Sequence, residues 1–239
     1  MTKGIVYIVF LNQSGQLKSI SEDHFFKELS VSIKSARESN PNLPITVISD
    51  SDTDFGADQN ILVERKADLR RKMSLIELSP YDYTMYIDTD TKIVGCLQES
   101  FGLLDRFDVA MVADSTRRIK AHADIWPKYA SIPNAFSEFC SGLIFYKKSD
   151  AFYELVSNWK RNYEEWKTIA KVHSDQQSFR VSLWETKNLN IHTLPIEYCI
   201  RTQDKLDSLH KRFPKSPIVY HWHNMYDSNL KRTPHKIHL

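Results

Sequence analysis

Short, almost wholly apolar runs alternate along this chain with longer segments in which apolar residues recur every three or four positions. Gly4 to Phe10 (with Ile5, Val6, Tyr7, Ile8 and Val9 between) is a continuous β-branched and aromatic run, the pattern of a strand covered on both faces. Residues 11–21 are polar and include Gly15, which reads as a loop at that strand's carboxyl end. Ser21 is placed to cap a helix starting at Glu22, where Phe25, Phe26, Leu29, Ile33 and Ala36 fall on one face before Asn40-Pro41 ends it. Ile45–Ser49 reads as a second strand and Ile61–Glu64 as a short third one. A helix is predicted over about Ala67–Leu78, with Leu69, Met73 and Ile76 inward and Arg70, Arg71 and Lys72 beside them, and Ser79-Pro80 stops it.

The next apolar run, Thr84-Met85-Tyr86-Ile87, leads into Asp88-Thr89-Asp90-Thr91-Lys92. A short helix near Leu97–Leu104 and a strand at Val109–Ala113 ending in Asp114 follow. Residues 115–137 are less regular, basic at Arg117, Arg118 and Lys120 and then aromatic at Trp126 and Tyr129, and read as an excursion over one edge of the sheet. Cys140-Ser141-Gly142 precedes a strand at Leu143–Tyr146. Ser149-Asp150 caps a helix with Phe152, Leu155, Val156, Trp159 and Tyr163 as its inner stripe. His173-Ser174-Asp175-Gln176-Gln177 opens another helix, with Phe179 and Leu183 inward, and Ile191–Leu194 and Ile218–Tyr220 are late strands. This alternation predicts an α/β fold with a mostly parallel sheet and helices on both faces. With no internal repeat and no low-complexity segment, one domain is the economical organisation.

Composition narrows the class without naming it. A chain of 239 residues can bury a sizeable core, and 41% hydrophobic with 26% charged residues is ordinary for a globular protein. A net charge of +2 argues neither for nucleic acid nor for a membrane surface. Cys96, Cys140 and Cys199 are scattered and odd in number, which points to reduced thiols, a cytoplasmic setting and small core residues. No apolar run approaches the roughly 20 residues needed to span a bilayer. Met1-Thr2-Lys3 leads straight into the first strand, without a cleavage-type segment. The expectation is a soluble protein, with peripheral membrane association left open.

Candidate chemistry centres on the two carboxylates after Ile87. Residues i and i+2 of a strand point the same way, so at a strand end Asp88 and Asp90 are able to converge on one cation. A hard divalent ion takes oxygen ligands, usually one or two carboxylates plus substrate phosphates. These residues therefore suggest Mn²⁺ or Mg²⁺ facing a diphosphate. The same pattern also serves simply to cap turns. Asp50-Ser51-Asp52, a second such pair, lacks a basic helix upstream and reads as a polar turn.

Five features occur in a telling order: a basic helix, then Tyr86-Ile87-Asp88-Thr89-Asp90-Thr91-Lys92-Ile93-Val94-Gly95, then Ser141-Gly142 before a strand, Asp175-Gln176 opening a helix, and His221 ending the last strand. That order resembles the GT-A glycosyltransferases, most nearly glycosyltransferase family 8, the glycogenin and bacterial lipopolysaccharide galactosyltransferase type. The resemblance implies a Rossmann-like nucleotide-binding sheet joined to a smaller acceptor-side region, with the donor part at about residues 1–114 and the acceptor side at about 115–239. It also implies a nucleotide-sugar donor, UDP-hexose being the usual choice, and Mn²⁺ or Mg²⁺. By position, Asp88, Asp90 and His221 match the metal ligands, with Asp88 also near the donor ribose and His223 the alternative to His221. Lys72, or Arg71 beside it, matches a basic donor contact. Phe10, Leu11 and Asn12 match the region that cradles the base, Ser141 and Gly142 the sugar contacts, and Asp175 and Gln176 the pair at the reacting face. The family's metal-binding His is usually followed by a Gly and then a Lys that closes over the diphosphate. Here His221-Trp222-His223-Asn224 lacks that Gly, and Lys231 is the nearest candidate, with Arg232 beside it.

Since no carboxylate stands out as a base for an incoming hydroxyl, retention of anomeric configuration is expected. The acceptor, whether a glycan, a lipid-linked sugar, a protein or a small metabolite, is not readable. Two other enzyme classes fit less well. A haloacid-dehalogenase-like phosphatase would use Asp88 as nucleophile, but its motif sits on the first strand and three predicted strands precede this one. A sugar-nucleotide nucleotidyltransferase would carry a Gly-rich loop after the first strand, where this chain has Gly15 alone.

Overall fold

A computed structural model describes residues 1–10, 22–64, 71–114, 120–171, 174–201 and 217–221. In chain order the elements are β1 (Lys3–Val9), α1 (Glu22–Ser39), β2 (Ile45–Ser49), β3 (Gln59–Leu62), α2 (Lys72–Leu75), β4 (Tyr83–Ile87), β5 (Thr91–Ile93), β6 (Val109–Ala113), α3 (Lys120–Ile125), α4 (Pro127–Ser131), β7 (Phe139–Lys147), α5 (Asp150–Ala170), α6 (Gln176–Glu185), β8 (Ile191–Leu194) and β9 (Val219–His221). Short 3-10 helices occur at Ile76–Leu78, Gln98–Asp105 and Ile196–Tyr198.

Seven strands form the main sheet in the order β3-β2-β1-β4-β7-β6-β8, while β5 and β9 pair separately. Neighbours in the main sheet are parallel except those made by β7, which runs against both β4 and β6. That one reversal matters for function. Parallel strands present their carboxyl ends at one edge, and β7 brings its amino-terminal residues to that same edge, with Leu143 opposite Ile87.

The unbroken apolar run of β1 follows from burial on two sides. Ile5, Tyr7 and Val9 share a core with Leu29, Ile33 and Ala36 of α1. Val6, Ile8 and Phe10 belong to a second core with Met73, Ile76 and the α5 residues Phe152, Leu155 and Trp159. Each Val, Leu, Ile, Phe or Met side chain among them contributes about 1.5–3 kcal/mol when fully buried. Helix α5 starts where its cap predicts, with Ser149 Oγ accepting from the Phe152 amide at 3.2 Å.

Several boundaries differ from the pattern-based expectation. β3 covers Gln59–Leu62 rather than Ile61–Glu64, because this edge strand is largely exposed and carries no apolar period. The segment near residues 97–104 is a 3-10 helix. Of the basic helix, Lys72–Leu75 is α-helical and continues as a 3-10 turn, and residues 65–70 lie outside the described ones. The last strand is Val219–His221, one residue later than expected, and β5 was not expected at all.

Residues 120–131 hold two short helices, and Tyr129 of the second, with Trp126 and Ile132 at its two ends, joins Trp166 and Val181 in a small separate core. Arg180 of α6 ties this excursion down, donating to the carbonyls of Pro133 (3.1 Å) and Phe136 (3.0 Å). Trp126 and Tyr129 are thus packing residues, each under 5% exposed. Among the described residues, no helix is long and apolar enough to cross a membrane.

Candidate active site

The site begins where β4 ends. The Asp88 amide donates to the Gly142 carbonyl at 2.9 Å, which extends the β4–β7 ladder by one residue and fixes the Asp88 backbone. The Asp88 carbonyl accepts from Thr91 Oγ1 at 2.8 Å. Thr91 Oγ1 lies 2.8 Å from Ser32 Oγ, and Ser32 Oγ lies 2.9 Å from the Tyr7 hydroxyl. This buried chain of hydroxyls ties the turn between β4 and β5 to α1 and β1. Burial pushes the Tyr7 phenol well up, so it stays protonated.

His221 reaches the same place from far along the chain. β9 pairs antiparallel with β5, and Thr91 stands opposite His221. His221 Nε2 is 3.3 Å from Asp90 Oδ1 and 3.8 Å from Asp88 Oδ2. One ligand atom from each of the three residues lies within 4.8 Å of the others. Two carboxylates and an imidazole make a donor set that suits Mn²⁺ well and Mg²⁺ through its oxygens. Gly142 supports the fit sterically, since a Cβ there would lie 2.4 Å from both Asp88 Oδ2 and His221 Cε1. Burial disfavours a charged His221 ring, but the charge and hydrogen bond of Asp90 together with the Cys140 hydrogen bond outweigh it and the opposing Arg201, and push the imidazole up to about 9.

Lys72 is the cation at the centre. Its Nζ lies 3.2 Å from Asp88 Oδ1 and 3.0 Å from Asp175 Oδ2, and it donates to the Ser141 carbonyl at 2.9 Å. The Tyr86 hydroxyl donates to Asp88 Oδ1 from the same face of β4. Asp175 occupies the N-cap position of α6, yet its side chain makes no cap hydrogen bond and meets Lys72 instead. A stabilising cap is therefore the wrong description of this carboxylate. Gln176 Nε2 donates to Glu138 Oε1 at 3.2 Å, and the Tyr129 hydroxyl donates to Glu138 Oε2 at 2.5 Å. Burial raises the Glu138 carboxyl above the usual range, although both of these hydrogen bonds act the other way.

Arg71 lies beside this group. Its guanidinium sits 5.0 Å above the centre of the Phe10 ring, and the residue is 8% exposed. Among the described residues its Nη1 has no hydrogen-bond partner. Leu11, Asn12, Arg70, His223 and Lys231 lie outside the described residues. Ser49, Ser51 and Thr53 bond one another around Asp50 and Asp52, as a polar turn does.

Three further groups were missed in the sequence. Tyr86 was detectable, standing two residues before Asp88 on a strand. Glu138 carried no local signal. Cys96 is exposed rather than a core residue, whereas Cys140 and Cys199 are buried as expected of core thiols, but both face His221, with each Sγ 3.7 Å from Nδ1.

No family model matches this sequence, and no curated protein matches it. Solved structures match by fold. The galactosyltransferase LgtC, solved with donor and acceptor sugar analogues, gives a TM-score of 0.59 at 13% identity over 92% of this chain and 86% of its own. The glycosyltransferase GlyE of Streptococcus pneumoniae TIGR4 gives 0.61 at 13% identity over 94% of this chain, which spans only 56% of GlyE. Mouse xyloside xylosyltransferase 1 in its apo form gives 0.58 at 12% identity, over 93% of this chain and 98% of its own. The fold is of the GT-A type: a mostly parallel sheet flanked by helices.

Proposed function

We propose that this chain is a metal-dependent glycosyltransferase. It moves a sugar from a nucleotide-diphosphate sugar, UDP-hexose by the family resemblance, to an acceptor hydroxyl, with retention at the anomeric carbon. The observation that carries this reading is the convergence of Asp88, Asp90 and His221 at the carboxyl edge of a GT-A sheet. Open α/β sheets bind ligands at that edge. The named neighbours include a galactosyltransferase and a xylosyltransferase, which supports a sugar donor in general.

In this reading Asp88, Asp90 and His221 hold Mn²⁺ or Mg²⁺. When bound, such an ion acts as a Lewis acid on the departing diphosphate, where negative charge develops. Arg71 binds the diphosphate: a buried guanidinium is costly unless paired, and among the described residues its Nη1 has no hydrogen-bond partner. Lys72 balances Asp88 and Asp175 and keeps both carboxylates oriented. Held in that ion pair, Asp175 is a poor base for an incoming hydroxyl, which supports retention. Asp175 and Gln176 border the reacting face, Ser141 and Gly142 the donor sugar, and Phe10, Leu11 and Asn12 the base, with Lys231 closing over the phosphates. Residues 1–114 and 115–239 act as donor and acceptor sides of one unit. The acceptor hydroxyl belongs to a glycan, a lipid-linked sugar, a protein or a small metabolite, and three cysteines outside any disulfide support a reducing, cytoplasmic setting.

A thermal-shift screen of nucleoside diphosphates and nucleotide sugars, with and without Mn²⁺, tests this. A ligand at a hundred times its Kd adds about 2.7 kcal/mol to the folded state. UDP and one UDP-sugar are expected to raise the melting temperature only when Mn²⁺ is present. A flat response to every nucleotide with Mn²⁺ contradicts the proposal.

A further inference from the structure

The His221 ring has two nitrogens, and only Nε2 faces Asp88 and Asp90. Nδ1 faces two thiols. Cys140 Sγ and Cys199 Sγ are each 3.7 Å from Nδ1 and 3.6 Å from each other. All three residues are buried, with exposures of 0%, 2% and 3%. They come from β7, from the residue after the 3-10 helix Ile196–Tyr198, and from β9, so no local sequence pattern forces them together. The Ile200–Tyr220 bridge and the His221 amide bond to the Ile200 carbonyl at 3.0 Å hold Cys199 beside the ring.

The size of this triangle is informative. A tetrahedral zinc ion, with Zn–S of about 2.3 Å and Zn–N of about 2.0–2.1 Å, sets its ligand atoms about 3.5–3.8 Å apart. The observed sides of 3.6, 3.7 and 3.7 Å match that spacing. The far side of the ring fits as well. A histidine that ligates a metal commonly donates its other N–H to a carboxylate, and Asp90 Oδ1 lies 3.3 Å from Nε2. Arg201 Nη1 donates to Cys140 Sγ at 3.7 Å and offsets negative charge there.

We propose that Cys140, Cys199 and His221 Nδ1 form a second cation site, for a soft d¹⁰ ion such as Zn²⁺, which shares its imidazole with the Asp88/Asp90 site. Binding forms two Zn–S bonds and one Zn–N bond and releases to solvent the protons held on the two sulfurs and on Nδ1. A neutral imidazole offers one lone pair, so the two sites are alternatives: an ion on Nδ1 leaves the proton on Nε2, where it is donated to Asp90. Zinc then withdraws His221 from the hard-cation site. The sharing rests on the transferase reading; the soft site itself does not.

The full chain, stripped of metal by chelation under reducing conditions, is titrated with Zn²⁺, Co²⁺ and Mn²⁺. One equivalent of Zn²⁺ is expected to stay bound through gel filtration, and Co²⁺ is expected to give a thiolate-to-metal charge-transfer band. Both should vanish in Cys140→Ser/Cys199→Ser, and Zn²⁺ should weaken Mn²⁺ binding at least tenfold in the wild type alone. Asp90→Ala is expected to keep the cobalt band while losing Mn²⁺. Cys199→Ser alone, compared with wild type by metal-free melting, serves if the double variant does not fold. No cobalt–thiolate band in the wild type, or zinc retained without the two sulfurs, overturns the site. Simultaneous full occupancy by Zn²⁺ and Mn²⁺ overturns the sharing. A cobalt band in a protein that never binds Mn²⁺ leaves the soft site standing and removes the transferase reading.

Discussion

Gly142 is the residue at which backbone and site chemistry meet most tightly. Its carbonyl positions the Asp88 amide, and its missing side chain leaves room for the Asp88 carboxylate and the His221 ring. In Gly142→Ala both of those groups must give way, and overpacking of this kind costs about 1–3 kcal/mol. Mn²⁺ affinity is expected to fall at least about tenfold, by analogy with lost support around a metal ligand, measured by Mn²⁺ titration followed by electron paramagnetic resonance. Unchanged affinity would contradict the steric argument. Arg71→Met probes the other side of the site. Replacing a buried, incompletely paired cation by an apolar chain of similar volume often leaves stability equal or higher. The ligand-free melting temperature should therefore hold or rise. UDP binding, by calorimetry, should weaken about ten- to hundredfold, since a hydrogen bond to a charged group is worth about 1.5–3 kcal/mol. At this scale Asp88, Asp90 and the nearby cations were legible as residue types in sequence order. The sulfurs against Nδ1 were not, because Cys140, Cys199 and His221 meet only through tertiary folding.

Among the elements, β7 explains why residues more than about fifty positions apart share one edge. Its apolar run announces a strand, but nothing in the run announces its direction. Only an antiparallel β7 brings Ser141 and Gly142 to Asp88. Strands β1 and β4 and helix α5 were readable because burial imposes unbroken runs or a helical stripe. β5 and β9, with three residues each, are too short for any period and exist through their mutual pairing. Where β6, β7, α5 and β8 are joined, Asp108 accepts from the Asn190 amide (2.9 Å) and from Ser149 Oγ (2.8 Å) and lies 3.5 Å from Lys147 Nζ. Burial pushes its carboxyl up, but the Asn190, Ser149 and Lys147 interactions outweigh it and hold it below the usual carboxylate range. A depressed folded-state pKa contributes stability that is complete above the unfolded value of about 3.9 and fades as pH falls through the folded value. Asp108→Ala is expected to lower stability at pH 7 by about 2 kcal/mol. In urea melts its deficit against wild type should shrink below about pH 4. A deficit independent of pH would contradict this.

For the whole molecule, the strand–helix alternation and the order of five short motifs were enough to anticipate a GT-A sheet. The GT-A fold of LgtC and xylosyltransferase 1 agrees with that reading despite identities of 12–13%. Assembly of the site was less legible, because it depends on His221 returning beside the β4–β5 turn from the far end of the chain. The proposed function has Asp88, Asp90 and His221 holding a catalytic divalent ion against a nucleotide-sugar diphosphate. It is tested most directly by following UDP release from UDP-sugars with and without Mn²⁺, in the wild type and in Asp90→Ala. The account predicts Mn²⁺-dependent release by the wild type and none by a variant that melts as a folded protein. Equal release by both proteins would contradict it.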